Sequence, residues 1–240
     1  MINEEKLQIL HDLTGLNISK LMVERLSDFV RLFKIYNSHT NLVSKNDEAN
    51  LFEKHIYDSL ALSLFFQKYN IAKEAKLLDI GTGGGFPSLP LGVFYPEMTI
   101  YPLDSIAKKI GFVELVQKEL RLENLNPVCS RAEDFVENYR ESFDVVTSRA
   151  VASLNTLLEY TIPFVKTGSY FVAFKSKNVD VEIENAQNAF KVLNCQIVDR
   201  IHYSLPSDND FMRELIVIKK NKKTPSLYPR KSGLAKKLPL

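Results

Sequence analysis

Apolar residues recur along the chain with two different periods. From Ser19 to Tyr36, Met22, Leu26, Phe29 and Phe33 fall at i, i+4, i+7 and i+11, the spacing of one face of an amphipathic helix, with Ser19 placed to cap it. A second helical pattern starts near Asn46 or Asp47 and carries Leu51, Phe52, Ile56, Leu60 and Leu64 to about Phe66. Residues 1–69 therefore read as a helical extension packed on whatever follows.

After Tyr69 the pattern changes to short β-rich runs separated by helical segments, as expected of βαβ units and a largely parallel sheet. The predicted strands are Lys76–Ile80, Thr99–Leu103, Leu125–Cys129, Phe143–Thr147, Tyr170–Phe174, Gln196–His202 and Glu214–Ile218; helices are predicted over Ile106–Leu120 and Val179–Leu193. Only about ten mostly polar, Pro-containing residues, Ser204 to Arg213, separate the last two strands. That is too few for a crossover helix, so an antiparallel hairpin at a sheet edge is expected. The reading is an α/β domain over 70–221 followed by a basic tail, 222–240.

The first strand, Leu77-Leu78-Asp79-Ile80, runs into Gly81-Thr82-Gly83-Gly84-Gly85-Phe86-Pro87. Four glycines within five residues let the backbone turn sharply and approach a ligand without Cβ interference. A dinucleotide fingerprint needs glycine at position 86, where Phe86 stands, so hydride-transfer cofactors are disfavoured. Asp104, about 20 residues on at the end of the next strand, suits a carboxylate accepting hydrogen bonds from ribose hydroxyls, or a helix cap ahead of Ile106.

Composition adds an asymmetry of charge. The net charge of the 240 residues is +2, yet Lys219 to Leu240 holds seven Lys and Arg230 with no acidic residue. The remaining 23 Lys and Arg face 29 Asp and Glu, so the body is formally −6 and this end +8. Such a separation suits a polyanionic partner. Cys129 and Cys195 lie far apart without a CxxC partner and read as buried thiols in a reducing compartment, not as a disulfide or zinc framework. No metal-ligand cluster, export signal or membrane-length apolar run is evident, and a soluble, cytoplasmic, monomeric protein without bound metal is expected.

Asp79-x-Gly81-x-Gly83-x-Gly85 resembles the first motif of class I S-adenosylmethionine methyltransferases, whose Rossmann-like fold has seven strands and a terminal antiparallel hairpin. The likeness extends further. Asp79 to Pro87, Leu103-Asp-Ser105 with Lys108-Lys109, Ser130-Arg-Ala-Glu133, Ser148-Arg-Ala150, His55-x-x-Asp58-Ser59-Leu60 and Tyr228-Pro-Arg230 together resemble the RsmG (GidB) family over essentially the whole chain. That resemblance implies methylation of N7 of one guanine in 16S ribosomal RNA, with S-adenosylmethionine as cofactor. It also implies cofactor contacts at Gly81, Phe86, Ala132, Glu133 and Arg149, to which the loop reading adds Asp79, Gly83, Gly85, Asp104 and Ser105. Ser88, where the family often has glycine, and Ser176, where Lys-Gly is usual, depart from its pattern.

Guanine N7 carries a free lone pair and no proton, so its methylation requires no general base. The end of the fourth strand agrees, reading Ser148-Arg149-Ala150 in place of the Asn/Asp-Pro-Pro-aromatic motif of exocyclic amine methylation. Arg149, Lys175 and His55 are the candidates for a catalytic role, and His55 and Asp58, at i and i+3, are expected as a hydrogen-bonded pair. Tyr228, Arg230, Lys231, Lys236 and Lys237 are the candidate contacts to 16S ribosomal RNA or the small subunit, with Tyr228 stacking on a base. No DNA partner is expected. Two other functions fit the same loop: methylation of a small molecule or protein, and non-enzymatic RNA binding during ribosome assembly.

Overall fold

The computed structural model describes every residue except Met1, Asn41, Lys177 and Ser207, and the backbone alone for 208–211. Helices α1 (Glu4–Thr14) and α2 (Lys20–Thr40) come first, and Ser19 Oγ accepts the Met22 N–H at 3.2 Å, as the sequence predicts. The predicted second helix is broken into α3 (Lys45–Ala49), a π-helical turn over Phe52–Tyr57, α4 (Asp58–Leu60) and α5 (Leu62–Lys68). A π turn inserts an extra residue and rotates the side chains that follow, a device frequent at functional sites.

Among the described residues seven strands form one sheet in the order β3-β2-β1-β4-β5-β7-β6. They are β1 (Lys76–Ile80), β2 (Thr99–Asp104), β3 (Val128–Cys129), β4 (Phe143–Arg149), β5 (Val165–Lys175), β6 (Cys195–Leu205) and β7 (Asp208–Lys220). The first five pair in parallel, while β7 runs antiparallel to both β5 and β6. The expected hairpin is thus present, with strands far longer than their hydrophobic runs. Strand β3 is shorter than expected: Pro127 has no N–H for the ladder, leaving Leu125 only an isolated bridge to Ile100. Cys195 is buried, but Cys129 lies on this edge strand and is exposed, contrary to the buried-thiol expectation.

Between the strands lie α6 (Ser88–Phe94), α7 (Ala107–Leu120), α8 (Ala132–Tyr139), α9 (Leu154–Thr161), α10 (Val179–Asn185) and α11 (Gln187–Val192). The last two replace the single helix predicted over Val179–Leu193, with Ala186 leaving helical geometry between them. Strand side chains alternate between two cores, as the period of two requires. Leu77, Val145, Val172 and Val217 face the N-terminal helices, α6 and α7; Leu78, Val146, Phe171 and Ile218 face α8 to α11. On the first face, Phe33 lies 5.4 Å from the Phe86 ring and 5.7 Å from Phe112. Each such edge contact adds about 1 kcal/mol beyond the area it buries. Through it, the N-terminal helices share the core of the sheet.

The tail also packs on the body. Helix α12 (Leu234–Lys237) lies against α9, and Tyr228 and Leu240 pack on the second core. No helix among the described residues is long and apolar enough to cross a membrane.

Candidate active site

A cavity of about 580 Å³ opens at the carboxyl ends of β1, β2 and β4, where a doubly wound sheet binds ligands. Its floor is the glycine loop. Gly81 takes φ +77° there, and a Cβ on it would stand 2.3 Å from Val151 Cγ2, a close approach that glycine alone permits. Gly83 (φ +58°) donates its N–H to Asp104 Oδ2 at 3.0 Å. The other Asp104 oxygen accepts the Ile106 N–H ahead of α7, with Lys109 Nζ 3.5 Å from Oδ2. Asp104 thus ties the loop to the segment ahead of α7 while lining the cavity.

Gly81, Gly83, Phe86, Asp104, Ser105, Ala132, Glu133, Arg149 and His55 all line this cavity. Asp79 and Gly85, expected beside them, do not. Asp79 is fully buried beneath the loop, where Ser88 Oγ donates to its Oδ2 at 2.7 Å. Burial pushes its carboxyl up to about 7. Ser88, the departure from the family's pattern, is thus the partner of the loop's own acid. Gly85 (φ +88°) shapes the turn, since a Cβ there would collide with Leu89 at 2.2 Å.

Arg149 closes one side. Its Nη1 stands 2.8 Å from Asp58 Oδ2 and donates also to the Lys54 carbonyl, while its Nη2 stands 2.8 Å from His55 Nδ1. His55 and Asp58 do not pair with each other as expected: the π turn presents both to the same guanidinium. Asp58 is completely buried and accepts also from Tyr203 Oη at 2.6 Å, with Arg213 Nη1 at 3.3 Å from Oδ1. Arginine cannot accept, so His55 Nδ1 must, which puts the ring proton on Nε2. Burial first, and the Arg149 charge second, push the His55 pKa down to about 4. The ring is neutral near pH 7, lies 4.8 Å from the Phe86 ring at a tilt of 36°, and its Nε2 is buried without a protein partner among the described residues.

Lys175 does not reach this cavity. Its Nζ is held by Glu182 Oε2 at 2.6 Å and the Ala152 carbonyl at 3.1 Å, beside a second cavity. The tail residues divide. Arg230 turns inward: its Nε and backbone N–H both donate at 2.8 Å to Glu159 Oε1, a fully buried carboxylate. It is not free for phosphate, because Glu159 would otherwise be an uncompensated buried charge. Tyr228 is half-buried against the body, its carbonyl accepting from Arg140, and does not project as a stacking platform. Lys220 is buried on the Ile162 and Val165 carbonyls and Glu141. Lys231, Lys236 and Lys237 are exposed, and Lys236 lines the 580 Å³ cavity beside Glu133 and Tyr160. Glu133 Oε1 also accepts the Gly233 N–H at 3.0 Å, anchoring the tail at the cavity mouth. Among the described residues no group of three or more His, Cys, Asp or Glu side chains could hold a metal ion.

This sheet order, with the cavity above a glycine loop after β1 and an acid ending β2, defines a class I S-adenosylmethionine-dependent methyltransferase. The chain belongs to the GidB family: the family model described as rRNA small subunit methyltransferase G matches residues 22–208. It is 40% identical over 228 residues, 94% of each chain, to a ribosomal RNA small subunit methyltransferase G of Streptococcus pyogenes. A protein of the same description from Alkaliphilus metalliredigens is 39% identical over 94% of each chain. The fold is similar to that of an S-adenosylmethionine-dependent O-methyltransferase from Thermotoga maritima, with a TM-score of 0.52 at 12% identity, covering 75% of this chain and 72% of that one.

Proposed function

We propose that this enzyme transfers the methyl group of S-adenosylmethionine to N7 of a guanine in small-subunit ribosomal RNA, acting as a monomer in the cytoplasm. When bound, the cofactor supplies an electrophilic methyl group on a sulfonium. The residues fit such a ligand: Gly81 and Gly83 clear space for its close approach, Asp104 has carboxylate lone pairs that would serve ribose hydroxyls, and Ala132 and Glu133, which line the same cavity, would flank the adenine. Arg149 and the unpartnered His55 Nε2–H are donors suited to a carboxylate.

The observation that carries the choice of N7 is the state of the ionisable groups. His55 is neutral but has its one accepting nitrogen on Arg149, Asp104 is held by two N–H groups, and Asp79 lies outside the cavity. Among the described residues lining the 580 Å³ cavity the remaining carboxylate, Glu133, accepts the Gly233 N–H and belongs to the adenine side in this reading, so no group there is assigned the removal of a proton, and N7 has none to remove. The chain's contribution is to orient two ligands and exclude water. Exposed Lys222, Lys223, Lys231 and Lys237 supply positive charge for RNA phosphates. The test is transfer of labelled methyl to small subunits or their RNA from cells lacking this protein, followed by mapping of the label. One guanine N7 supports the reading; label on small molecules or protein and none on RNA refutes it.

A further inference from the structure

A second cavity, of about 390 Å³, adjoins the first and shares Arg149, Ala150 and Val151 with it. Ala150 holds φ +56° in this partition, a left-handed conformation that non-glycine residues seldom adopt. The remaining wall comes from Ala152, Phe174, Lys175, Ser176, Glu182 and Arg213. Glu182 is built in from one side only. Its Oε2 accepts both the Leu154 N–H at 2.7 Å and Lys175 Nζ at 2.6 Å, whereas Oε1 has no hydrogen-bond partner among the described residues.

We infer that this cavity receives the target base and that Glu182 Oε1 selects guanine by accepting from its N1–H and exocyclic N2–H. The inference rests on the proposed guanine-N7 reaction and adds what makes the site choose that base. An ionised carboxylate only accepts, and guanine is the purine whose Watson–Crick edge carries two adjacent donors; adenine sets the N1 lone pair there instead. Lys175 and the Leu154 amide keep the carboxylate fixed, so recognition does not wait on its reorganisation. With that edge turned to Glu182, N7, on the opposite edge of the purine, faces away from it, in the direction required if the shared wall at Ala150 and Val151 is where the two ligands meet. A base entering this recess must be unstacked from its RNA, as enzymes that modify bases require. Lys175, a catalytic candidate from sequence, becomes a positioning residue for Glu182.

The test uses the full-length protein with Glu182→Gln and Glu182→Ala, and small-subunit RNA carrying either guanine or inosine at the mapped target. Inosine lacks only the N2 amino group. Wild type should methylate the inosine RNA roughly ten- to a hundredfold less efficiently in kcat/KM, the loss expected for one hydrogen bond to a charged group. Glu182→Ala should erase that preference. Glu182→Gln retains a carbonyl for Leu154 and turns an amide N–H₂ to the base, so it should lose at least tenfold on guanine. Calorimetric S-adenosylmethionine affinity and urea midpoint should be retained in the Gln variant. A guanine-to-inosine ratio unchanged in Glu182→Ala overturns the role of Glu182 while leaving the N7 reaction standing. Failure of the wild type to label any guanine N7 overturns both.

Discussion

Asp58 and Arg149, 91 residues apart in the chain, meet at 2.8 Å, and each also binds further partners: Tyr203 and Arg213 on the acid, His55 and the Lys54 carbonyl on the base. The pair joins the N-terminal helices to the end of β4 and fixes the histidine tautomer in the same stroke. Arg149→Ala leaves a buried carboxylate with its charge compensated by Arg213 alone. A loss of roughly 3 kcal/mol in urea unfolding is expected, the lower end for breaking a buried pair. Arg149→Lys should recover part of that stability but not cofactor affinity, because a single ammonium cannot replace the planar fork.

Two buried groups give stability opposite dependences on pH. His55 has a folded pKa of about 4 against 6.5 in the unfolded chain, so the unfolded state binds more protons between those values and stability rises with pH across them. Asp79 is raised from 3.8 to about 7, so the folded state binds more protons there and stability falls as pH rises from about 4 to 7. The two contributions largely offset each other in the wild type. Urea midpoints should separate them: relative to His55→Gln the wild type gains stability from pH 4 to 6.5, and relative to Asp79→Asn it loses stability from pH 4 to 7. Parallel profiles for wild type and variants would contradict both assignments.

Gly83→Leu tests the loop. A Cβ there would find its nearest neighbour, the Gly81 carbonyl oxygen, 3.9 Å away, so the side chain has room to extend into the cavity, while φ +58° costs roughly 1–2 kcal/mol. The expected outcome is a folded protein by circular dichroism with no measurable S-adenosylmethionine binding; retained binding would displace the site from this loop.

The tail offers two kinds of cation, and salt separates them. Replacing exposed Lys222, Lys223, Lys231 or Lys237 should lower RNA affinity and reduce the slope of log K against log salt by about 0.7–0.9 for each phosphate contact removed. Arg230→Ala should instead cost on the order of 3 kcal/mol of stability by stranding Glu159. It should also weaken cofactor binding, since Gly233 and Lys236 follow it at the cavity mouth, and leave the salt slope unchanged.

The glycine loop, Asp104 and the terminal hairpin were legible in sequence because each rests on local constraint: backbone approach, strand-end position, loop length. The side-chain network was not. Nothing in the i, i+3 spacing of His55 and Asp58 announces that a π turn will aim both at Arg149, and nothing in a run of lysines distinguishes Arg230, whose partner Glu159 lies 71 residues earlier. Asp79 illustrates the converse. Its place in the motif suggests a ligand contact, while the neighbouring Ser88 turns it into an internal support.

Strand β7 fills the gap between β5 and β6, and the cavity wall runs from Leu42 to Lys236. During synthesis the glycine loop leaves the ribosomal exit tunnel long before Tyr203 and Arg213 are available to Asp58, or Arg230 to Glu159. A nascent chain therefore carries the cofactor loop without its finished enclosure. An enzyme whose relatives are named for methylating ribosomal RNA thus completes the wall of its site only after Arg230 and Lys236 have emerged from the ribosome that made it.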